Sequence, residues 1–448
     1  LPERNEAGSV DLRGTATGVD LSILGDRAPF EIYGPLETDF AIKGALPGPT
    51  ITLTGRSPSI VLAGLHLSDL DFTARGDGSR MTLEKLKGYA GQGALTATGT
   101  IDLLPGGVEL GFSLEGSGLD LARVTKELKR NGSPALSGTA DVTLSGSLKG
   151  GAWAGRGELH SERVRAFGLD FDEVSLPLTL EEGGVRAENA SARFCEGSLD
   201  GGGDLETSTG RWNIKAALRG ADMERVVEAV TDIDGRITGK GDLDLTLSGA
   251  FGKHLLVTGG GNFTATEGGV SGFEALKAIS STYGMSALRY GRIDANFKVD
   301  GNVVTLLPGS RATAQTDDTF YRYLTVDGAA GPGGNLNLYC SGLVNVQALN
   351  TLLGAIQGLA VSGTASPGAI LEGLIGGIVG GMGKQDFRDT SFRVEGTWSN
   401  PLFTNFRVAP PRDASRPQPD TNSTGQTLQD DRGHKVTISI PTGESAGE

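Results

Sequence analysis

The sequence has few large aromatic side chains and no long hydrophobic run. Phe, Tyr and Trp make up 6% of the 448 residues and the hydrophobic set 38%, whereas glycine occurs 71 times, roughly twice its ordinary share. We therefore do not expect several thick hydrophobic cores. No stretch of about 18 uncharged apolar residues occurs, so these residues do not span a bilayer as a helix.

Basic residues are also outnumbered. Lys and Arg total 40 against 54 Asp and Glu, which gives a formal net charge of -14 at pH 7. The average field repels phosphate backbones and anionic membrane surfaces, so we do not expect nucleic acid as a partner. The chain begins with Leu1, and we expect either that a signal or anchor segment was removed or that the sequence is part of a longer protein.

Cysteine is nearly missing, and so are the motifs of catalysis and metal binding. Cys195 and Cys340 lack a Cys-x-x-Cys partner, and we interpret them as ordinary thiols or, as an alternative, as a disulfide formed in an oxidising compartment. The four histidines are isolated, and Lys384 in GGIVGGMGK is followed by Gln385 where a phosphate loop has Ser or Thr. We therefore predict no catalytic residue, no metal site, no cofactor and no enzymatic activity.

Apolar and polar residues alternate along most of the chain, which is typical of strands with one buried and one wet face. Antiparallel sheets allow such faces, whereas parallel sheets are usually covered on both sides. We predict a mostly β fold, an elongated antiparallel sheet built from degenerate repeats with a few short helices. The candidate groove-lining residues on its apolar face are Val108, Leu110, Phe112, Leu114, Val174, Leu176, Leu178, Leu180, Trp212, Ile214, Leu218, Leu243, Leu245, Leu247, Ile293 and Phe297.

Three segments repeat at intervals of about a hundred residues: GLDLARVTKEL from Gly118, GADMERVVEAV from Gly220 and GLVNVQALNTLL from Gly342. Each places an Asp or Asn, namely Asp120, Asp222 and Asn345, before apolar residues at helical spacing, as a helix N-cap requires. We expect groove repeats over 1–136, which continue an absent N-terminal part, and over 137–233. We further expect a C-terminal β region over 234–409, with helices near 272–283 and 345–383, and a disordered tail over 410–448.

The Gly-rich segment Pro367–Lys384 carries glycines at spacings of three and four. Gly373, Gly377 and Gly381 would leave part of a helical face without side chains, which allows close packing. We favour a helix that closes the end of the groove, and contact with a membrane is the alternative.

About twenty strands paired in order would extend roughly 90 Å, and their apolar face must be hidden. The sheet can curl into a trough, pack on a partner sheet or hold an apolar ligand. Its Val, Leu, Ile and Ala residues suit acyl chains, and they suit a sandwich core almost as well.

Several segments carry a family resemblance: residues 64–103, the strands from Ser137 and Gly239, and the closing RVEGTWSNPLFTNFRVAPP with Gly396, Thr397, Trp398 and Pro401. They resemble the C-terminal region of the AsmA-like family of bacterial envelope proteins. The resemblance implies a taco-like β-groove in the periplasm of a Gram-negative bacterium, anchored in the inner membrane by an N-terminal helix that this sequence lacks. It also implies that phospholipid or another acyl-chain lipid moves between the inner and outer membranes.

Two other functions stay open. A structural or adhesive cell-surface β-protein would use the same strands, although passenger-type solenoids rarely insert a helix at each repeat. A glycosidase would use paired carboxylates, which are abundant here.

Overall fold

The structure is a computed structural model, and it describes residues 8–23, 31–45, 48–62, 64–77, 79–104, 107–127, 136–150, 152–230, 236–251, 256–271, 288–347, 386–397, 400–410, 427–429 and 435–437. Leu1–Val408 form one compact unit and Ala409–Glu448 form a second. The described residues of the first unit form a single sheet of 23 strands. All strand pairs in this sheet are antiparallel, as the alternating pattern predicts.

The strands of the first half are β1 Ser9–Asp20, β2 Ile32–Tyr33, β3 Pro35–Ala45, β4 Thr50–Leu62, β5 Leu65–Gly76, β6 Arg80–Ala90, β7 Gly93–Leu104, β8 Gly107–Asp120, β9 Leu136–Lys149, β10 Ala152–Ala166, β11 Leu169–Glu181, β12 Gly184–Phe194 and β13 Gly197–Glu206. Those of the second half are β14 Arg211–Asp222, β15 Arg236–Ala250, β16 Leu256–Ser271, β17 Leu288–Asp300, β18 Val303–Leu306, β19 Arg311–Ala314, β20 Tyr321–Ala330, β21 Asn335–Asn345, β22 Phe387–Thr397 and β23 Asn400–Val408.

The sheet is a meander in which nearly every strand pairs with the next one in sequence. At its N-terminal edge β1 pairs with β3 and β2 with β4. Between β17 and β20 the two short strands β18 and β19 together occupy one strand position. At about 4.8 Å per strand, the stack extends about 95 Å.

Two helices of the described chain follow strands at equivalent places in the repeat, α1 Leu121–Glu127 after β8 and α2 Met223–Val230 after β14. Asp120 Oδ1 accepts the N–H groups of Ala122 and Arg123 at 2.9 and 3.1 Å, and Asp222 Oδ1 does the same for the second and third residues of α2. In the third repeat Asn345 Oδ1 accepts the N–H of Gln347 at 3.1 Å, and the chain is helical at 346–347. The N-caps predicted from the sequence are thus confirmed.

Bulges near the helices bend the strands. In β8 and β14 the bulge contains Gly118 and Gly220, both at φ +66, and their N–H groups donate to Asp141 Oδ1 and Asp242 Oδ1 at 2.8 Å. A Cβ added to either glycine would meet no atom within 4 Å, so the backbone conformation alone favours glycine there. Because a bulge increases local twist and bends its strand, repeated bulges curl the sheet into a groove.

The domain boundaries, the C-terminal helices and the disordered tail expected from the sequence compare with the structure as follows. The boundaries expected near 136 and 233 lie at helix-to-strand connections, and the sheet continues across both through the β8–β9 and β14–β15 pairs. The helix expected near 272–283 lies outside the described residues, and so does the one near 345–383 beyond Gln347. Within 410–448, where we expected disorder, β24 Thr427–Gln429 pairs with β25 Lys435–Thr437.

Candidate functional site

One face of the sheet carries a continuous row of mostly apolar residues. This row of register partners crosses the meander from β1 to β22 without a gap, and directly paired residues of an antiparallel sheet share a face. Thr38 is its single polar side chain. We call this set the apolar row: Ala16, Thr38, Gly55, Phe72, Leu86, Ala97, Leu114, Leu144, Gly157, Leu178, Ala187, Gly203, Ile214, Leu247, Gly259, Val299, Val304, Ala330, Leu336 and Gly396.

The opposite face carries polar side chains in the neighbouring row. From β7 to β17 the register partners one residue away from the apolar row are Thr98, Ser113, Ser145, Arg156, Thr179, Arg186, Asp204, Asn213, Ser248, Thr258 and Asp300. The two faces therefore differ in chemistry over at least these strands.

All candidate groove-lining residues predicted from the sequence lie on the apolar face. Leu114, Leu178, Ile214 and Leu247 belong to the apolar row itself. The other candidates lie at even-numbered distances from the apolar row along β8, β11, β14, β15 and β17. The register thus brings them onto one surface, and their binding of lipid stays a prediction.

Near α1 and α2 the apolar face is packed. We call this part the helix margin, and its buried residues are Leu95, Leu119, Ala140, Phe194, Leu218, Ala221 and Ala265. Leu121 of α1 packs with Ala140, and Val226 of α2 packs against Leu218 and Ala221. The α1 end is also held to β5, because Glu127 Oε2 accepts the N–H of His66 at 3.0 Å.

Away from the helices the same face is uncovered. We call this part the open side, and its exposed large apolar residues are Leu12, Ile101, Leu103, Val108, Trp153, Ile214 and Val304. Ile214 is 42% exposed, whereas Leu218, on the same face of the same strand, is 6% exposed. Leu148, the register partner of Trp153, and Trp212 are buried exceptions. A row of exposed apolar side chains of this extent indicates a surface that binds something apolar.

A cavity of about 740 Å³ lies on the apolar face between β10 and β16. It falls within the size range of ligand sites. Five candidates from the sequence, Val174, Leu176, Trp212, Ile214 and Leu247, line it, and Phe251 after β15 completes the wall. Leu218 and Leu243, which we also took as lining residues, instead pack in the helix-margin cluster of Phe194. This packing has a physical cause, because α2 covers this end of β14.

Trp212 is 9% exposed, and its Nε1 has no hydrogen-bond partner among the described residues. Its ring centroid lies 6.2 Å from that of Phe251 with an angle of 36° between the planes. An in-plane N–H does not point at the face of a ring tilted in this way, so the neighbour does not serve as a π acceptor. A buried donor left unpaired costs about 1–3 kcal/mol.

The polar face offers no arrangement typical of a glycosidase in the part of the chain that the structure describes. A second cavity, of about 840 Å³, contains Arg186, Glu188, Asp204, Lys215 and Asp244 in mixed charge. Hydrogen bonds or ion pairs lower the pKa of Asp20, Asp77, Asp102, Asp141, Glu206, Asp294 and Asp317. A general acid of a glycosidase needs a shift in the other direction.

The two cysteines are free thiols in different clusters, so the disulfide that we kept as an alternative is not formed. Cys195 packs near Phe194 and Leu218, and Cys340 packs with Leu336 and Val394. Burial raises the pKa of both thiols, that of Cys340 to about 12. Neither is therefore an activated nucleophile.

The Gly-rich segment and part of the closing motif cannot be placed on the sheet. Gly373, Gly377 and Gly381 lie outside the described residues, as does Trp398 of the closing motif. Among the residues that the structure describes, no helix has the length and apolar character needed to cross a membrane. Comparisons of the chain with protein-family models, curated proteins and solved structures gave no match.

Proposed function

We propose that this chain is a non-enzymatic envelope-biogenesis protein whose hydrophobic β-groove binds phospholipids and conducts them between the inner and outer membranes of a Gram-negative bacterium. The observation that carries the proposal is the apolar row, which runs from Ala16 to Gly396 with one polar side chain. An acyl chain that moves along a protein needs continuous apolar contact, because each buried charge on the way would cost free energy.

The exposed apolar side chains of the open side favour the binding of an apolar ligand over a purely structural role. Exposed side chains such as Ile101, Leu103 and Val108 lie on adjacent strands and form a contiguous surface. In an ordinary sandwich this surface would be covered by a second sheet, whereas the described strands of the first unit form one sheet. Acyl chains would cover it instead.

The location rests on the resemblance to the AsmA-like family. Periplasmic localisation, an inner-membrane anchor outside this sequence and exchange with bacterial membranes are parts of the proposal that follow from that resemblance. A structural or adhesive cell-surface protein is the competing function, and it requires no bound lipid.

The test is lipid extraction and mass spectrometry of the purified chain, followed by transfer of a fluorescent phospholipid between vesicles. We expect co-purified phospholipid and transfer by the wild type. Ile214→Asp should reduce both, because it places a charge in the apolar row at a site exposed enough to keep the fold. Thr246→Asp is the matched control, since Thr246 is exposed and pairs with Lys215 on the polar face of the adjacent strand. Absence of lipid and of transfer in the wild type would favour the structural role.

A further inference from the structure

The cavity between β10 and β16 contains one unsatisfied polar group, the indole N–H of Trp212. Buried donors in folded proteins nearly always have a partner, so an exception calls for an explanation. An indole nitrogen can only donate, and it therefore needs an acceptor oxygen or nitrogen. The described residues provide none.

The surroundings of Trp212 restrict the charge of that acceptor. Its register row on the apolar face consists of Val185, Leu205, Gly249 and Val257, and its aromatic neighbour is Phe251. Lys215 is the cation among the residues that line the cavity, and its side chain lies on the polar face of the sheet, one residue from the apolar row. A phosphate group beside Trp212 on the apolar face would therefore be a charge without a partner. A neutral carbonyl oxygen meets the requirement of the donor without that penalty.

The position of Trp212 along its strand gives the orientation of the ligand. Trp212 is the second residue of β14, at the end away from α2, and the apolar row passes through Ile214 two residues further. A carbonyl at Trp212 would place the attached acyl chain along Ile214 and Leu247, which line the same cavity. The Nε1 atom is buried, so a neighbouring group has to move for the carbonyl to reach it, and Phe251 is the aromatic neighbour, with its ring centroid 6.2 Å away.

We infer that this cavity binds an ester-linked acyl lipid, that Trp212 Nε1 donates a hydrogen bond to the ester carbonyl, and that Phe251 moves aside to admit it. The inference rests on the proposed function and adds a chemical preference to it: ester lipids bind better than ether lipids with the same chains and headgroup. One neutral hydrogen bond predicts a preference of about 2- to 10-fold.

The test compares a diacyl phosphatidylcholine with its dialkyl ether analogue, using wild type and Trp212→Phe, which keeps a ring and removes the N–H. Wild type should bind the ester lipid about 2- to 10-fold more tightly, and Trp212→Phe should bind both lipids with the affinity of wild type for the ether. Trp153→Phe is the matched control, because Trp153 lies on the same face but is 39% exposed, and it should keep the ester preference. Phe251→Ala should bind the ester lipid faster.

A spectroscopic readout separates hydrogen bonding from packing. The chain has three tryptophans, so ¹⁵N-tryptophan labelling gives three indole N–H resonances in an NMR spectrum. The Trp212 resonance should shift downfield when the ester lipid binds and should shift less when the ether lipid binds. The inference would be overturned, and the proposed function would stand, if wild type bound both lipids with equal affinity or if Trp212→Phe bound neither lipid. Failure of wild type to bind either lipid would overturn both.

Discussion

The helix margin and the open side belong to the same face of the same strands, yet they differ in what covers them. On β14, Ala221 is fully buried beneath α2, and Ile214, seven residues earlier, is 42% exposed. Both ends have similar apolar composition, so composition alone does not determine burial. The difference arises because a capped helix folds back over one end of the strands and no described element covers the other.

This contrast assigns separate roles to the two regions. Clusters around Leu95, Leu119 and Ala221 bury apolar area and stabilise the fold. The open side keeps apolar area in contact with solvent, which costs free energy unless a ligand covers it. Substitutions in the helix margin should therefore change the free energy of unfolding, and substitutions in the open side should change lipid binding.

The largest effect is expected from a charge in the helix margin. Leu218→Asp should destabilise the chain by at least about 4 kcal/mol, because the carboxylate would be buried without a partner. Ile214→Asp, on the same face, should cost about 1 kcal/mol or less and should instead reduce lipid binding. Urea unfolding followed by circular dichroism measures the first effect, and hydrogen exchange over β13–β15 localises it. Equal destabilisation by both variants would mean that the two regions are one core.

A smaller effect is expected from the helix caps. Asp222→Ala should cost about 1 kcal/mol, because the N–H groups of Glu224 and Arg225 lose their acceptor. Asp120→Ala is the matched change in the preceding repeat and should cost a similar amount. Hydrogen exchange should report faster opening of α2 in the first variant and of α1 in the second. Lipid affinity at the open side should not change, and a comparable loss there would contradict the separation of roles.

The smallest effect is expected from Asp141, which accepts hydrogen bonds from the β8 bulge and makes the stability of the fold depend on pH. The Gly118 N–H and then the Ser117 hydroxyl, both at 2.8 Å from Asp141 Oδ1, lower the pKa of Asp141. A lowered pKa in the folded state stabilises the fold above the ordinary value of 3.8, and this contribution is lost as the pH falls through the folded pKa. Asp141→Asn should therefore lower the urea midpoint at pH 6 and differ less from wild type near pH 3. A difference that does not depend on pH would refute the role of this carboxylate.

The sequence was sufficient to predict the antiparallel sheet, its apolar face and the three N-caps. Period-two alternation determines which side chains share a face, and a capping Asp or Asn acts within a few residues of its helix. Such local rules hold here because the meander pairs neighbouring strands.

Burial and bulges were not predictable from the alternation. Asp69, Glu173 and Asn189 adopt positive φ at bulges, although none of them is glycine, and a bulge shifts the alternation by one residue. Leu218 and Ile214 look alike in sequence, and only the position of α2 distinguishes them. The aromatic neighbour of Trp212 is likewise Phe251, which follows a different strand.

The most direct test of the central claim is photo-crosslinking of lipid to single positions of β14 and β15. Benzoylphenylalanine at Ile214 or Leu247, in the apolar row, should crosslink to phospholipid in membranes or vesicles. The same group at Asn213 or Thr246, one residue away and on the polar face, should not. Crosslinks at all four positions, or at the polar pair alone, would contradict a lipid path along the apolar row.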